Sequence, residues 1–193
     1  MTLLDTLPGP LTPPSRRFLT LWDGWRAGGL LPHRRRLDTE ALGDLLPRCV
    51  LIAVRGRDDM PISFAGSWLR ERLGDEIAGT NYLDLTPPEN RQRRADLLLT
   101  EVAQPCAAVI YYWVRFDAGG LLPVEVVSAP MLDDAGQPAN LVLACLTPLA
   151  RGENDGDADP DSYAEGDGLL FIDIGAGLPP ATGAIGQPAG QVQ

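Results

Sequence analysis

Lysine is missing from this chain: all sixteen of its basic residues are arginine. That removes a Schiff-base lysine and the lysine of a phosphate-binding P-loop from consideration. Histidine is nearly missing too, with His33 alone and set beside Arg34, Arg35 and Arg36. Nucleophile–histidine catalysis has nothing to build on, and His33 reads as a solvated turn residue. Cysteine is sparse. Cys49, Cys106 and Cys145 stand far apart without C-x-x-C spacing, each inside an apolar run, and read as structural thiols of a reducing compartment. No apolar window approaches the roughly 18 residues of a membrane span, and the first thirty residues lack a basic start followed by a long apolar run. The expectation is a cytoplasmic protein with no membrane span. No His/Cys/Asp cluster has metal-ligand spacing. Asp133-Asp134 lies in a turn with Gly136, where acids are favoured by local backbone hydrogen bonding. Neither a metal nor a catalytic residue is expected, so the chain does not read as an enzyme.

What is present begins with charge. The 193 residues carry a net charge of −10, and eight acids against Arg151 alone lie beyond residue 149. The body is nearly balanced and the tail is acidic, which argues against a nucleic-acid partner. The arginine triplet at 34–36 has no interleaved aromatics and reads as a solvated or salt-bridged face. With 45% hydrophobic content the chain can bury one respectable core.

Residues 1–14 carry Pro8, Pro10, Pro13 and Pro14 and are expected to form an irregular leader. A helix then starts near Ser15 as N-cap. Phe18, Leu21, Trp22 and Trp25 recur on one stripe until Gly28-Gly29 stops it. A second short helix runs from Asp38 to Pro47. Cys49–Val54 and Ile62–Ala65 read as strands joined at Asp58-Asp59. Thr86 and Glu89 form a capping box with Pro87 at the first position of a long helix, 87–103. Its apolar stripe is Ala95, Leu98, Leu99 and Val102, and Arg91, Arg93 and Arg94 lie on its other face. Three longer strands follow, Ala107–Phe116, Leu122–Met131 and Ala139–Thr147, turned at Gly119-Gly120 and at 133–136. Two strands, a helical section and a three-strand meander make an α+β arrangement. Residues 150–193 form an acidic, Gly/Pro-rich tail that stays solvated, broken by the apolar segment 169–174. That segment, with Leu169, Phe171 and Ile172, either docks on a sheet edge of its own domain or is taken up by a partner.

The run L-G-x(4)-G-x(4)-D-L-x(2)-P-E from Leu73 to Glu89 resembles the middle of a PAS domain. So do the flanking motifs: F-x-x-L-W-x-x-W-R-x-G-G-x-L-P from Phe18 to Pro32, R-x-L-D at 35–38, L-L-P at 45–47, and FIDIGAGLP from Phe171 to Pro179. Together they are similar to a family of small single-domain bacterial PAS-like proteins best represented in alphaproteobacteria, over residues 15–149. The resemblance implies a five-stranded antiparallel sheet with helices on one face, preceded by the aromatic amino-terminal helix. It implies a stand-alone sensory or regulatory module of signal transduction, acting through protein partners and tuned by a small ligand in the sheet–helix cleft. The alternative is a small-molecule binding protein whose ligand is its main business. Trp68, Tyr82, Tyr111 and Trp113 are the candidates to line that cleft. In flavin photosensors of this fold a cysteine follows G-x-N; here the sequence reads Gly79-Thr80-Asn81-Tyr82. Haem relatives use a histidine on the long helix, and 87–103 contains none. No cofactor is expected. Flanking helices of such domains often mediate dimers, so Phe18, Leu21, Trp22 and Trp25 are expected to pack on the open face of the sheet or in a homodimer.

Overall fold

The computed structural model describes residues 3, 11–74, 76–115, 121–136, 138–149 and 169–180. The leader expected at 1–14 and the acidic stretch 150–168 fall almost wholly outside the described residues, as do Phe116 and Gly119-Gly120.

Four α-helices and six strands organise the described chain: α1 Pro13–Trp25, α2 Thr39–Leu42, β1 Cys49–Ala53, β2 Ile62–Ala65, α3 Ser67–Leu73, α4 Arg91–Ala103, β3 Cys106–Arg115, β4 Leu121–Met131, β5 Leu141–Pro148 and β6 Leu170–Asp173. The strands form one antiparallel sheet in the order β2-β1-β5-β4-β3-β6. The sixth strand corrects the expected five. Its source is the apolar segment of the tail, which pairs with the edge of β3 in the register Cys106↔Asp173 to Val109↔Leu170. The segment therefore docks in cis. Asp173 fastens its end by accepting from the backbone N–H of Gly175 at 2.7 Å and of Gly177 at 2.9 Å.

Helices cover both faces of the sheet, with α1 on the face that α3 and α4 leave open. The strands are apolar on both alternations, so each face needs a cover. On one face α1 lays Phe18, Leu19 and Trp22, all fully buried, over Leu51, Val109, Val127, Leu143 and Ile172. Burying each large side chain contributes roughly 1.5–3 kcal/mol. The Trp22 indole N–H also donates to the carbonyl of Pro130 at 3.2 Å. On the other face α3 and α4 pack with Ile52, Ile110, Val126 and Leu146.

Two helix starts differ from expectation. α1 begins at Pro13, because prolines need no N–H partner in a first turn. Thr12 is its cap, and Ser15 lies fully buried inside the helix. α4 begins at Arg91, after a 3-10 turn at Pro88–Asn90. The Thr86 hydroxyl donates back to the Tyr82 carbonyl at 3.3 Å, so the expected Thr86–Glu89 capping box is replaced by this bond.

Candidate functional site

A groove of about 560 Å³ opens beside the first turns of α4. Two stretches of the chain line it: the β1–β2 turn with Arg57 and Asp58, and the run from Asn81, cap of the 3-10 turn Tyr82–Leu85, through Pro88 to Arg91, Gln92 and Ala95 at the start of α4. Leu83 and Ala95, both buried, give it apolar wall. Asn81 holds the two stretches together. Its Nδ2 donates to the Asp58 carbonyl at 2.7 Å, while its Oδ1 accepts from the backbone N–H of Met60 at 3.2 Å and of Leu83 at 3.3 Å. Arg57 reaches across to Asp96 on α4 at 2.6 Å, and Arg91 Nε donates to the Thr86 carbonyl at 3.1 Å. The rim thus offers two guanidiniums, two carboxylates (Asp58 and Asp84) and two amides, a surface that matches a small polar molecule better than an apolar one.

The four aromatics expected to line one cleft divide between the two faces. Trp68 and Tyr82 pack on the α4 side. The Arg72 guanidinium covers the Trp68 ring, 4.3 Å from its centroid. Tyr111 packs on the α1 side, and Trp113, two residues on, shares that face of β3. Strand alternation placed Tyr111 and Trp113 together, but the face they share is the one α1 closes.

Of the expected interface residues, Phe18 and Trp22 are consumed inside the molecule, whereas Leu21 and Trp25 are only partly buried. Ile172 enters the α1-side core, and Leu169 and Phe171 pack toward α4.

Sequence reasoning missed three buried charged residues. Arg94, assigned to the polar face of α4, is 3% exposed and stacks on the Tyr112 ring at 3.8 Å. Glu101 is fully buried; its Oε1 accepts from the Ser128 hydroxyl at 2.8 Å, and its Oε2 has no hydrogen-bond partner. Burial pushes its carboxyl up to about 8, against the lowering influence of Ser128. The sheet makes room for it with a row of small residues, Ala108, Ser128 and Ala144, in register across β3, β4 and β5. Glu125, 1% exposed, lies on the opposite face and accepts from the Thr12 backbone N–H at 3.1 Å, the Thr12 hydroxyl at 2.5 Å and the Tyr111 phenol at 2.8 Å. One signal was in the sequence: Glu125 is the only charged residue of β4 and is flanked by Val124 and Val126. Another was that Glu101 follows Arg94, Leu97 and Leu98 at helical spacing. Among the described residues no group of three or more His, Cys, Asp or Glu side chains is placed to hold a metal ion.

No curated protein matches the chain. Among solved structures it is similar to the light-state blue-light photoreceptor Aureochrome1 LOV, at 19% identity over 58% of this chain and 89% of that one, with a TM-score of 0.42. It is also similar to the Rhodobacter sphaeroides LOV protein, at 20% identity over 58% of this chain and 66% of that one, TM-score 0.41. A third similarity is to a Vibrio cholerae VqmA dimer, at 12% identity over 59% and 53%, TM-score 0.41. The PAS domain family profile matches residues 11–147, from the cap of α1 through β5. The chain belongs to the PAS domain family.

Proposed function

We propose that this PAS domain is a sensory and regulatory module of signal transduction that takes a small polar ligand in the groove beside α4 and acts through protein contacts. The observation that carries the reading is the groove's construction. It joins the β1–β2 turn, the Tyr82–Leu85 turn and the start of α4 around a rim that carries charges of both signs. A ligand bridging these segments would bias the position of α4 on the sheet, and differential affinity for two such positions is what a sensor needs. Native mass spectrometry of freshly purified protein tests this. The expected result is a retained small molecule that is lost from an Arg91→Ala, Asn81→Ala variant. Protein that carries no adduct, and shows none with a panel of polar metabolites, would overturn the ligand reading.

The remaining parts of the reading follow from surfaces and composition. A regulatory protein partner and a homodimer would use what α1 leaves half-exposed, Leu21 and Trp25. Light scattering at micromolar concentration tests the dimer, and a monomer would end it. The body, residues 15–149, would do the sensing while the acidic tail tethers β6 to it. Three free, buried cysteines support a reducing compartment such as the cytoplasm; among the described residues no helix is long and apolar enough to cross a membrane. Non-enzymatic action is part of the same reading; it is taken from the family and not from the fold, which alone does not set function.

A further inference from the structure

We propose that Cys49 and Cys145 form a peroxide-oxidisable pair, a modification site beneath α1 that closes to a cross-strand disulfide. The two residues are direct partners on β1 and β5, and both belong to the α1-side core. The backbone bonds show which kind of partners they are. The Cys49 carbonyl accepts from Gly66 N–H at 2.9 Å, and Ala53 N–H donates to Pro61 at 2.9 Å, both toward β2. Val54 N–H, one step further along, donates to Asn140 at 2.7 Å, toward β5. Alternation then makes Cys49↔Cys145 a non-hydrogen-bonded pair, the closer of the two antiparallel arrangements, with Cα atoms about 4.5 Å apart. That lies at the short end of the roughly 4.4–6.8 Å that disulfides span. The strands need not shift register for the sulfurs to join.

The surroundings divide the roles. The Cys49 thiol donates to the Leu45 carbonyl at 3.3 Å. The neighbouring Cys145 sulfur, together with burial, pushes the Cys49 thiol up. The neighbouring Cys49 thiol holds the Cys145 thiol down, with the Arg48 guanidinium assisting. The Leu45 carbonyl holds the Cys49 proton, which leaves Cys145 as the attacking sulfur and Cys49 as the resolving thiol. The Cys145 sulfur attacks one oxygen of hydrogen peroxide: the S–O bond forms, the O–O bond breaks, and hydroxide leaves. The Cys49 sulfur then attacks the sulfenic sulfur: the S–S bond forms, the S–O bond breaks, and hydroxide leaves. With the two thiol protons, one peroxide and two thiols give one disulfide and two waters. Both side chains are fully buried, which favours a small hydroperoxide over a bulky disulfide as oxidant. Its route is local opening of the 3-10 turn Gly43–Arg48 above Cys49. Cys106 is an internal control. It opens β3, paired with Asp173 of β6, and burial with Glu101 and Asp173 nearby pushes its thiol up to about 12.

The test uses the full chain, reduced, freed of reductant and exposed to hydrogen peroxide under native conditions, followed by alkylation and non-reducing peptide mapping. The expected result is a stoichiometric Cys49–Cys145 linked peptide, reversed by dithiothreitol, with Cys106 still alkylatable. C106S should give the same map, and C49S and C145S should lose the link. Three results would overturn the proposal: both cysteines alkylating after denaturation as fully as in untreated protein, separate sulfinic acids without a link, or a link that forms only in denaturant. If the serine variants at 49 or 145 do not fold, the wild-type and C106S maps decide.

Discussion

Tyr111 and Glu125 face each other across β3 and β4, and the phenol donates to the carboxylate at 2.8 Å. Burial and this bond push the Tyr111 phenol up, so it stays a donor. The other carboxylate oxygen receives both the backbone N–H and the hydroxyl of Thr12 at the start of α1. One side chain of the sheet thus anchors the helix that covers it, at the helix end where negative charge is favoured.

The first prediction follows from that anchor. Glu125→Ala leaves the Thr12 donors and the Tyr111 phenol unmet and is expected to cost about 2–3 kcal/mol. Glu125→Gln, which keeps an acceptor, should cost about half as much. Urea unfolding followed by tryptophan emission measures both. Loosening of α1 should also red-shift the Trp22 signal in native buffer, and equal stability of all three proteins would refute the anchor.

A pH dependence follows from Glu101. Its folded-state carboxyl is raised from 4.5 to about 8, so between those values the native state binds a proton that the unfolded state does not. Stability from this group is fully present below the unfolded value, falls as pH rises, and is gone above about 8. The slope cannot exceed about 1.4 kcal/mol per pH unit. Glu101→Gln should flatten this part of the profile and leave the protein more stable than wild type at pH 8. Matching denaturation profiles of the two proteins from pH 5 to 8 would contradict the assignment.

Legibility differed by level, and the reasons are physical. β1 and β2 were read because strand composition is a local signal. The aromatic stripe of α1 was read from periodicity. Its destination needed the knowledge that β1, β4 and β5 are buried on both faces, a property of the assembled sheet. The site fared worst. Tyr111 and Trp113 looked like cleft residues because apolar sets on both alternations conceal which face meets α4. Arg94 and Glu101 looked solvated because charge is usually exposed on a helix. Only the small row Ala108, Ser128, Ala144, visible once register is known, makes room for a buried carboxylate there.

The docking of β6 gives a third prediction. Ile172, 1% exposed, is its anchor in the α1-side core, so Ile172→Asp should release the strand, since an unpaired charge would otherwise be buried. Amide hydrogen exchange is the measurement. Wild type should show protection at Leu170–Asp173; the variant should lose it there while α4 and β5 stay protected. Fast exchange of these amides in wild type would mean that the strand does not hold in solution.

The last prediction concerns Gly66, where no unusual dihedral is involved and the constraint is space alone. Its φ of −67 suits any residue, but a Cβ there would lie 2.2 Å from the Leu46 carbonyl oxygen and 2.3 Å from that of Pro47. Both obstacles are backbone, so no side-chain rotation relieves them. The position also cannot drift: Gly66 N–H donates to Cys49 at 2.9 Å, and its carbonyl accepts from Leu69 and Arg70, both at 3.1 Å, starting α3. Gly66→Ala must push the Leu46–Pro47 turn off the sheet or break the first turn of α3. Either is expected to cost about 3 kcal/mol or more, the range of severe overpacking. Gly56→Ala, in a turn where the added methyl meets nothing within 4 Å, is the matched control. Thermal unfolding of the pair should show a large drop for Gly66→Ala and little change for Gly56→Ala; similar midpoints would show that the close approach at Gly66 does not hold in solution.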